Sequence, residues 1–195
     1  MKIFKQNLML IDADYVDRVA FDLTVNFERI IGRQIPKADM ARWADCVALD
    51  GGLRQGDNEI QVVLVHDRQQ TQMNNFMPGH YDDELNGQAF KDHLGEFSFE
   101  TYAVEPMVSK GDYMADVLQM ACNEKDVKRI MVIANAEAPS IYNKVEQVLR
   151  RADDGDKHIT VFAMQPLAGC PARQEILGYS LMAALGIRSE EINCK

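Results

Sequence analysis

The sequence predicts an α/β fold of three layers, with a mainly parallel five-stranded sheet between two sets of helices. Three observations lead there. Short apolar runs alternate along the chain with stretches whose apolar residues recur at helical spacing. The runs are nearly continuously apolar, as strands covered on both faces are. The 195 residues suit one domain over 1–195, and they contain no internal repeat, low-complexity tract or linker.

Leu8-Met9-Leu10-Ile11 is the first strand, expected near 7–12, and it stops at Asp12-Ala13-Asp14. Val16, Val19, Ala20, Leu23, Phe27, Ile30 and Ile31 form one stripe, so residues 15–32 are expected to be helical and to stop at Gly32. Pro36 precedes a second helix over 37–50, carried by Ala41, Trp43, Ala44, Val47 and Ala48 and ended by Gly51-Gly52. The β-branched run from Gln61 to Asp67 is the second strand, near 60–66. Residues 68–80 are polar, contain Pro78-Gly79 and read as a long loop. Asp82 to Leu94 reads as a helix closed by Gly95. Phe97 to Ala103 alternates and gives the third strand, near 97–104. Asp112 to Asn123 is a helix with Met114, Ala115, Val117, Leu118 and Ala121 inward. Ile130 to Ala134 is the fourth strand (129–134), and Ile141, Val145, Val148 and Leu149 mark the helix after it. Ile159 to Ala163 is the fifth strand (158–163), and a last helix runs from Ala172 to Leu185 before Gly186.

Composition narrows the function. Hydrophobic residues are 47% and charged residues 26%, which excludes collagen, low-complexity disorder and a disulfide-stapled miniprotein. Lys plus Arg is 21 against 30 for Asp plus Glu, a net charge of −9. Such a surface repels phosphate backbones, so nucleic acid would need a local basic patch. No window approaches the roughly 18 apolar residues of a membrane span. The start, Met1 to Asn7, lacks the apolar run of a signal peptide. The expectation is a cytoplasmic protein without membrane contact. Cys46, Cys122, Cys170 and Cys194 lie far apart, with no C-x-x-C, so reduced, mostly buried thiols are expected and a zinc site is not.

Doubly wound sheets place their sites beyond the carboxyl ends of the strands. That directs the search to Asp12–Asp14, His66-Asp67, Glu105–Lys110 and Ala134–Ser140. Asp12 and Asp14 are two apart, so on extended chain both carboxylates point the same way and repel unless a cation sits between them. Mg²⁺ or Mn²⁺ favours such oxygen ligands. The competing structural reading makes Asp14 the cap of the first helix and Asp12 a turn residue. In Lys110-Gly111-Asp112-Tyr113-Met114-Ala115-Asp116, the two aspartates share a helix face at i,i+4, which points to an external partner such as a metal. Here too Asp112 could simply cap a helix, with Asp116 solvated. Lys110 could contact a phosphate or be an ordinary surface lysine. The fourth strand end offers only Asn135 and Glu137 as oxygen ligands. There is no G-x-G-x-x-G after the first strand, no Walker A loop and no G-x-S-x-G elbow. His66 reads as an ordinary hydrogen-bonded histidine. The basic groups Lys125, Lys128, Arg129 and Lys144, Arg150, Arg151 read as solvated helix faces, and the 11 methionines as packing.

A first strand ending Leu10-Ile11-Asp12-Ala13-Asp14, followed much later by Lys110-Gly111-Asp112 with Asp116 one turn on and then an apolar strand, resembles the NYN domains of the PIN-like nuclease superfamily. The resemblance covers roughly residues 8–165 and rests on those two short motifs. It implies a PIN-like fold and a metal-dependent ribonuclease in which acidic residues hold Mg²⁺ or Mn²⁺ and activate a water. Carried over, Asp12, Asp112 and Asp116 would be the catalytic metal ligands with Asp14 beside them, and Asp12 and Asp112 would approach each other across the sheet edge. The family's S-G-D-x-D-like cluster is replaced here by Ala134-Asn135-Ala136-Glu137-Ala138, where Glu137 would be the substitute ligand. Lys110 and Asn135 complete the candidate set as substrate contacts. Partners left open are RNA, against which the net charge counts, and a second copy of the chain. Two alternatives stand beside the nuclease: a catalytically degenerate PIN-like module acting through protein or small-ligand binding, and a small-molecule or nucleotide site at the same strand ends.

Overall fold

The computed structural model describes residues 3–152 and 155–193. Its elements are β1 (Asn7–Asp12), α1 (Ala13–Ile31), β2 (Ala38–Asp39), α2 (Met40–Asp50), β3 (Asn58–Asp67), β4 (Phe76–Met77), a π-helical turn (Tyr81–Leu85), β5 (Ala89–Lys91), β6 (Gly95–Val104), α3 (Lys110–Asn123), β7 (Arg129–Ile133), α4 (Pro139–Arg151), β8 (His158–Ala163), β9 (Arg173–Ile176), α5 (Leu177–Ala184) and α6 (Ser189–Ile192).

Successive strand residues serve opposite faces. Met9, Ile11, Ile60, Val62, Leu64, Met131 and Ile133 pack with α1, α2 and α5 in one core. Leu8, Leu10, Val63, Val65, Ile130 and Val132 pack with α3 and α4 in the other. Both faces are therefore covered, which is why these strands are written as unbroken apolar runs. Trp43 of α2 is fully buried, and its indole N–H donates to Ser180 Oγ of α5 at 3.2 Å.

The sheet has seven strands rather than five, in the order β5-β6-β3-β1-β7-β8-β9. The five expected strands are its contiguous centre. The two additions are the edges: β5, antiparallel to β6, and β9, parallel to β8. Ranked by chain order, the six parallel strands stand 3-2-1-4-5-6, the doubly wound arrangement. The order reverses between β1 and β7; the direct junction of β1 with α1 carries Asp12–Asp14, and the loop after β7 carries Asn135–Glu137. β2 and β4 form a separate parallel pair.

Two expected helices are corrected. Asp82–Leu94 is not one helix, because the turn ends at Leu85. Asn86 (φ −62°, ψ 124°) and Gly87 (φ +76°) then make a type II turn, closed by Gln88 N–H donating to Leu85 O at 3.0 Å. The chain continues as β5, where Phe90 stacks on Phe97 at 4.6 Å. The last helix starts at Leu177 rather than Ala172, because Arg173–Ile176 pairs along β8. The expected loop 68–80 contains β4, and α2 begins at Met40 after Asp39 caps it. Cys46, Cys122 and Cys170 are free and only half-buried, and Cys194 lies outside the described residues. No described helix is long and apolar enough to cross a membrane.

Candidate functional site

The carboxyl end of β1 is held by its own chemistry. Asp12, rather than Asp14, caps α1: its Oδ1 accepts from Tyr15 N at 3.2 Å. That leaves Asp14 in the first turn, where Oδ2 accepts from Asp67 N at the end of β3 at 2.7 Å. Opposite them, Ser109 caps α3 by accepting from Asp112 N at 3.1 Å, so α3 starts at Lys110 and not at Asp112. Gly111 is required by packing. A Cβ there would lie 2.5 Å from Ser140 O and 3.0 Å from Ile141 Cα, both backbone atoms at the start of α4.

These placements bring Lys110 into the acidic cluster. Its Nζ lies 2.6 Å from Asp14 Oδ2, 3.2 Å from Asp12 Oδ1 and 3.3 Å from Asp67 Oδ1. The Lys110 side chain is 10% exposed and that of Asp12 only 1%, while Asp67 is 61% exposed. Burial pushes the Asp12 carboxyl up, and the Lys110 ammonium and the Tyr15 N–H offset only part of that. Burial also weakens the hold of Lys110 on its proton, but the carboxylates of Asp12, Asp14 and Asp67 outweigh it and raise its pKa above the usual lysine value.

Tyr81 belongs to the same cluster. It is 1% exposed, its hydroxyl has no hydrogen-bond partner among the described residues, and its ring stacks on that of His66 at 3.7 Å. Burial first, then the charges of Asp14, Asp17, Asp12 and Asp67, push its hydroxyl far above the usual tyrosine pKa. His66 is the ordinary buried histidine expected, with Nδ1 3.0 Å from Asp67 O.

The other candidates stand apart from this cluster. Asp112 is exposed, ion-paired to Lys144 at 2.7 Å and bonded by the Ser109 hydroxyl at 2.5 Å. Those two contacts hold its carboxyl below the usual range. Asp116 is exposed and makes no ion pair among the described residues. Glu137 pairs with Arg18, and its N–H donates to Asn135 Oδ1 at 3.0 Å. The structure thus gathers Asp12, Asp14 and Lys110, adds Asp67 and Tyr81, and engages Asp112, Glu137 and Asn135 elsewhere. A divalent ion shared by Asp12 and Asp14 would need the position that the Lys110 ammonium fills, so the donor set does not fit Mg²⁺ or Mn²⁺ with that side chain in place.

Two features were hidden in the sequence. A cavity of about 520 Å³ opens beside Asp14, lined by Asp17, Phe21, Gln70, Gln72 and Asn75 among others. Away from it, Asp45 of α2 meets Asp92 and His93 of the turn before β6, with candidate ligand atoms all within 4.8 Å of one another. Burial pushes the Asp45 carboxyl up to about 6, aided by the hydrogen bond and charge of Asp92 and opposed by His93. Asp67 carried a sequence signal, since it ends a strand. Tyr81 and Asp45 carried none, because a helix and two turns far apart in the chain bring them to their partners.

No curated protein and no solved structure matches the chain. Residues 2–192 match a family of unknown function, DUF6621, and the chain belongs to that family.

Proposed function

We propose that this chain is a PIN-like module that binds a small polar ligand at the carboxyl edge of its sheet and does not cut RNA with a metal ion. The observation that carries the reading is the Lys110 ammonium set among Asp12, Asp14 and Asp67 at 2.6–3.3 Å. Paired carboxylates at a sheet lip need a cation, and here the protein supplies it from α3. The rest agrees. Asp112 is held by Lys144 and Glu137 by Arg18, and Ala136 and Ala138 stand where further carboxylates would be needed. The neighbouring cavity of about 520 Å³ falls within the roughly 300–1,000 Å³ of small-molecule sites. Its amides at Gln70, Gln72 and Asn75 and the half-exposed ring of Phe21 suit a ligand that mixes polar groups with a flat apolar face.

The test is a Mn²⁺ titration by calorimetry alongside a single-stranded RNA cleavage assay. Wild type should show no cleavage and no Mn²⁺ binding that Asp12→Asn removes, whereas Lys110→Ala should gain a Mn²⁺ site over wild type because three carboxylates lose their ammonium. Mn²⁺-dependent cleavage by wild type that disappears in Asp12→Asn would overturn the proposal in favour of the nuclease. For the ligand, a small-molecule panel read by melting temperature should give shifts that Phe21→Ala and Gln72→Ala abolish.

A further inference from the structure

Three neighbouring strands each open on a basic residue: Arg129 on β7, His158 on β8 and Arg173 on β9. Arg129 and His158 are register partners, and Arg173 stands opposite Thr160, two residues into β8. Lys157 precedes His158. All four line one cavity of about 200 Å³ at the amino edge of the sheet, the end opposite the acidic cluster, and Thr160 lines it with them. Among the described residues no carboxylate lines it. Four basic side chains in one cavity, with the carboxylates of Glu175 and Asp50 on the Arg173 side and outside the lining, are conspicuous in a chain of net charge −9. Arg129, grouped in sequence with a solvated helix face, is instead a half-buried strand residue.

Their present contacts leave much of their charge unanswered. Arg129 Nη1 donates to Gly51 O at 2.6 Å, and among the described residues Arg129 makes no ion pair. One point beside Gly52, where a side chain would begin, lies 3.0 Å from Arg129 Nη1 and 3.6 Å from Arg173 Nη1, so the two guanidiniums are adjacent. Burial, and then the charge of Arg173, weaken the hold of Arg129 on its proton. Arg173 pairs with Glu175 at 2.7 Å while its side chain stays 59% exposed. Among the described residues Lys157 Nζ donates to two carbonyls, Glu124 O at 2.5 Å and Val127 O at 2.6 Å, and makes no ion pair. Thr160, which is 2% exposed, adds a hydroxyl side chain to the lining.

We propose that this cavity binds a phosphate group, carried free or at the end of a small phosphomonoester. Paired guanidinium forks match the oxygens of a phosphate, and its charge of about −2 answers more than one cation where a carboxylate answers one. The volume decides how much ligand fits: about 200 Å³ is below the roughly 300–1,000 Å³ that encloses whole small molecules, so the cavity takes the charged group and leaves any remainder outside. The site is independent of the carboxyl-edge reading.

The test is calorimetric titration with inorganic phosphate and, separately, with glycerol 3-phosphate, at pH 7.5 and an ionic strength held constant with NaCl. Saturable one-to-one binding of either anion is expected, with both binding if the free ion suffices and only the ester binding if the ester oxygen is read. Arg173→Gln should weaken it about tenfold or more, the loss of a charge-assisted hydrogen bond. Arg173 is exposed, so this variant keeps the fold, whereas Arg129→Gln also orphans Gly51 O. Lys91→Gln, the same charge change on β5, should leave the affinity unchanged. Absence of saturable binding with both anions, or equal affinity in Arg173→Gln and Lys91→Gln, would overturn the proposal.

Discussion

Lys110 holds three carboxylates in register, and the buried one depends on it most. Asp12 is 1% exposed and caps α1, so Lys110→Ala leaves a buried charge without its counterpart. The expected loss is about 3–5 kcal/mol, read by urea unfolding without metal. The double variant Lys110→Met with Asp12→Asn should cost less than the two single changes added, because the pair acts as a unit. Additive costs would mean that the two groups do not interact. Asp45 carries a pH signature of definite sign. Its carboxyl sits at about 6 in the folded chain against an ordinary value of 3.8. Between those values the folded state holds the proton more than the unfolded state does. The contribution of this group to stability is thus complete below about pH 4 and is lost as pH rises through about 6. The stability of wild type relative to Asp45→Asn should therefore fall from pH 4 to pH 7. A flat difference over that window would show that the carboxyl is not raised.

At the scale of elements, two glycines in equivalent places should respond with opposite signs. Gly111 and Gly178 are each the second residue of a helix, α3 and α5. Alanine there favours the helix by up to about 1 kcal/mol. At Gly111 the new Cβ meets the Ser140 carbonyl at 2.5 Å, and backbone cannot yield cheaply, so overpacking of about 1–3 kcal/mol should make Gly111→Ala destabilising. At Gly178 the nearest atom is Met164 Cε at 3.4 Å, the end of a flexible side chain. Gly178→Ala should be neutral or stabilising. Thermal unfolding of both variants checks the pair, and a stabilised Gly111→Ala would refute the close seating of α3 on α4.

The whole molecule combines a net charge of −9 with an uneven distribution, carboxylates gathered at one edge of the sheet and a basic cavity at the other. Excess like charge destabilises the compact state by self-repulsion. Raising NaCl from about 0.01 to 0.15 M shortens the screening length from about 30 to 8 Å and should raise the melting temperature. The Lys110 pairs contribute little to this response, because Lys110 and Asp12 are buried from the salt. A melting temperature that falls with NaCl would show that attractive pairs, rather than net repulsion, dominate the electrostatics.

The sequence by itself determined the α/β class, the five central strands and the presence of Asp12 and Asp14 at a sheet lip. Strands buried on both faces are apolar along most of their length, so β1, β3, β7 and β8 announce themselves without knowledge of their neighbours, despite buried polar residues such as Gln61 and Thr160. The edge strands do not. β5 (Ala89–Lys91) and β9 (Arg173–Ile176) are short and largely exposed, and their polar residues are extended only because β6 and β8 offer hydrogen bonds. The site divides the same way. Sequence placed Asp12 and Asp14 at the end of the first strand, but the extended two-residue offset expected there does not occur: α1 starts at Ala13, and the helix cap and first turn are what aim both carboxylates at one cation. Only the packing of Gly111 against α4 and the cap at Ser109 decided that Lys110 sits beside Asp12 while Asp112 turns to Lys144. Charge identity is written along the chain, but the partner of a charge is set by which elements meet. That is why Asp45 with Asp92, and Arg129 with Arg173, became visible only in three dimensions.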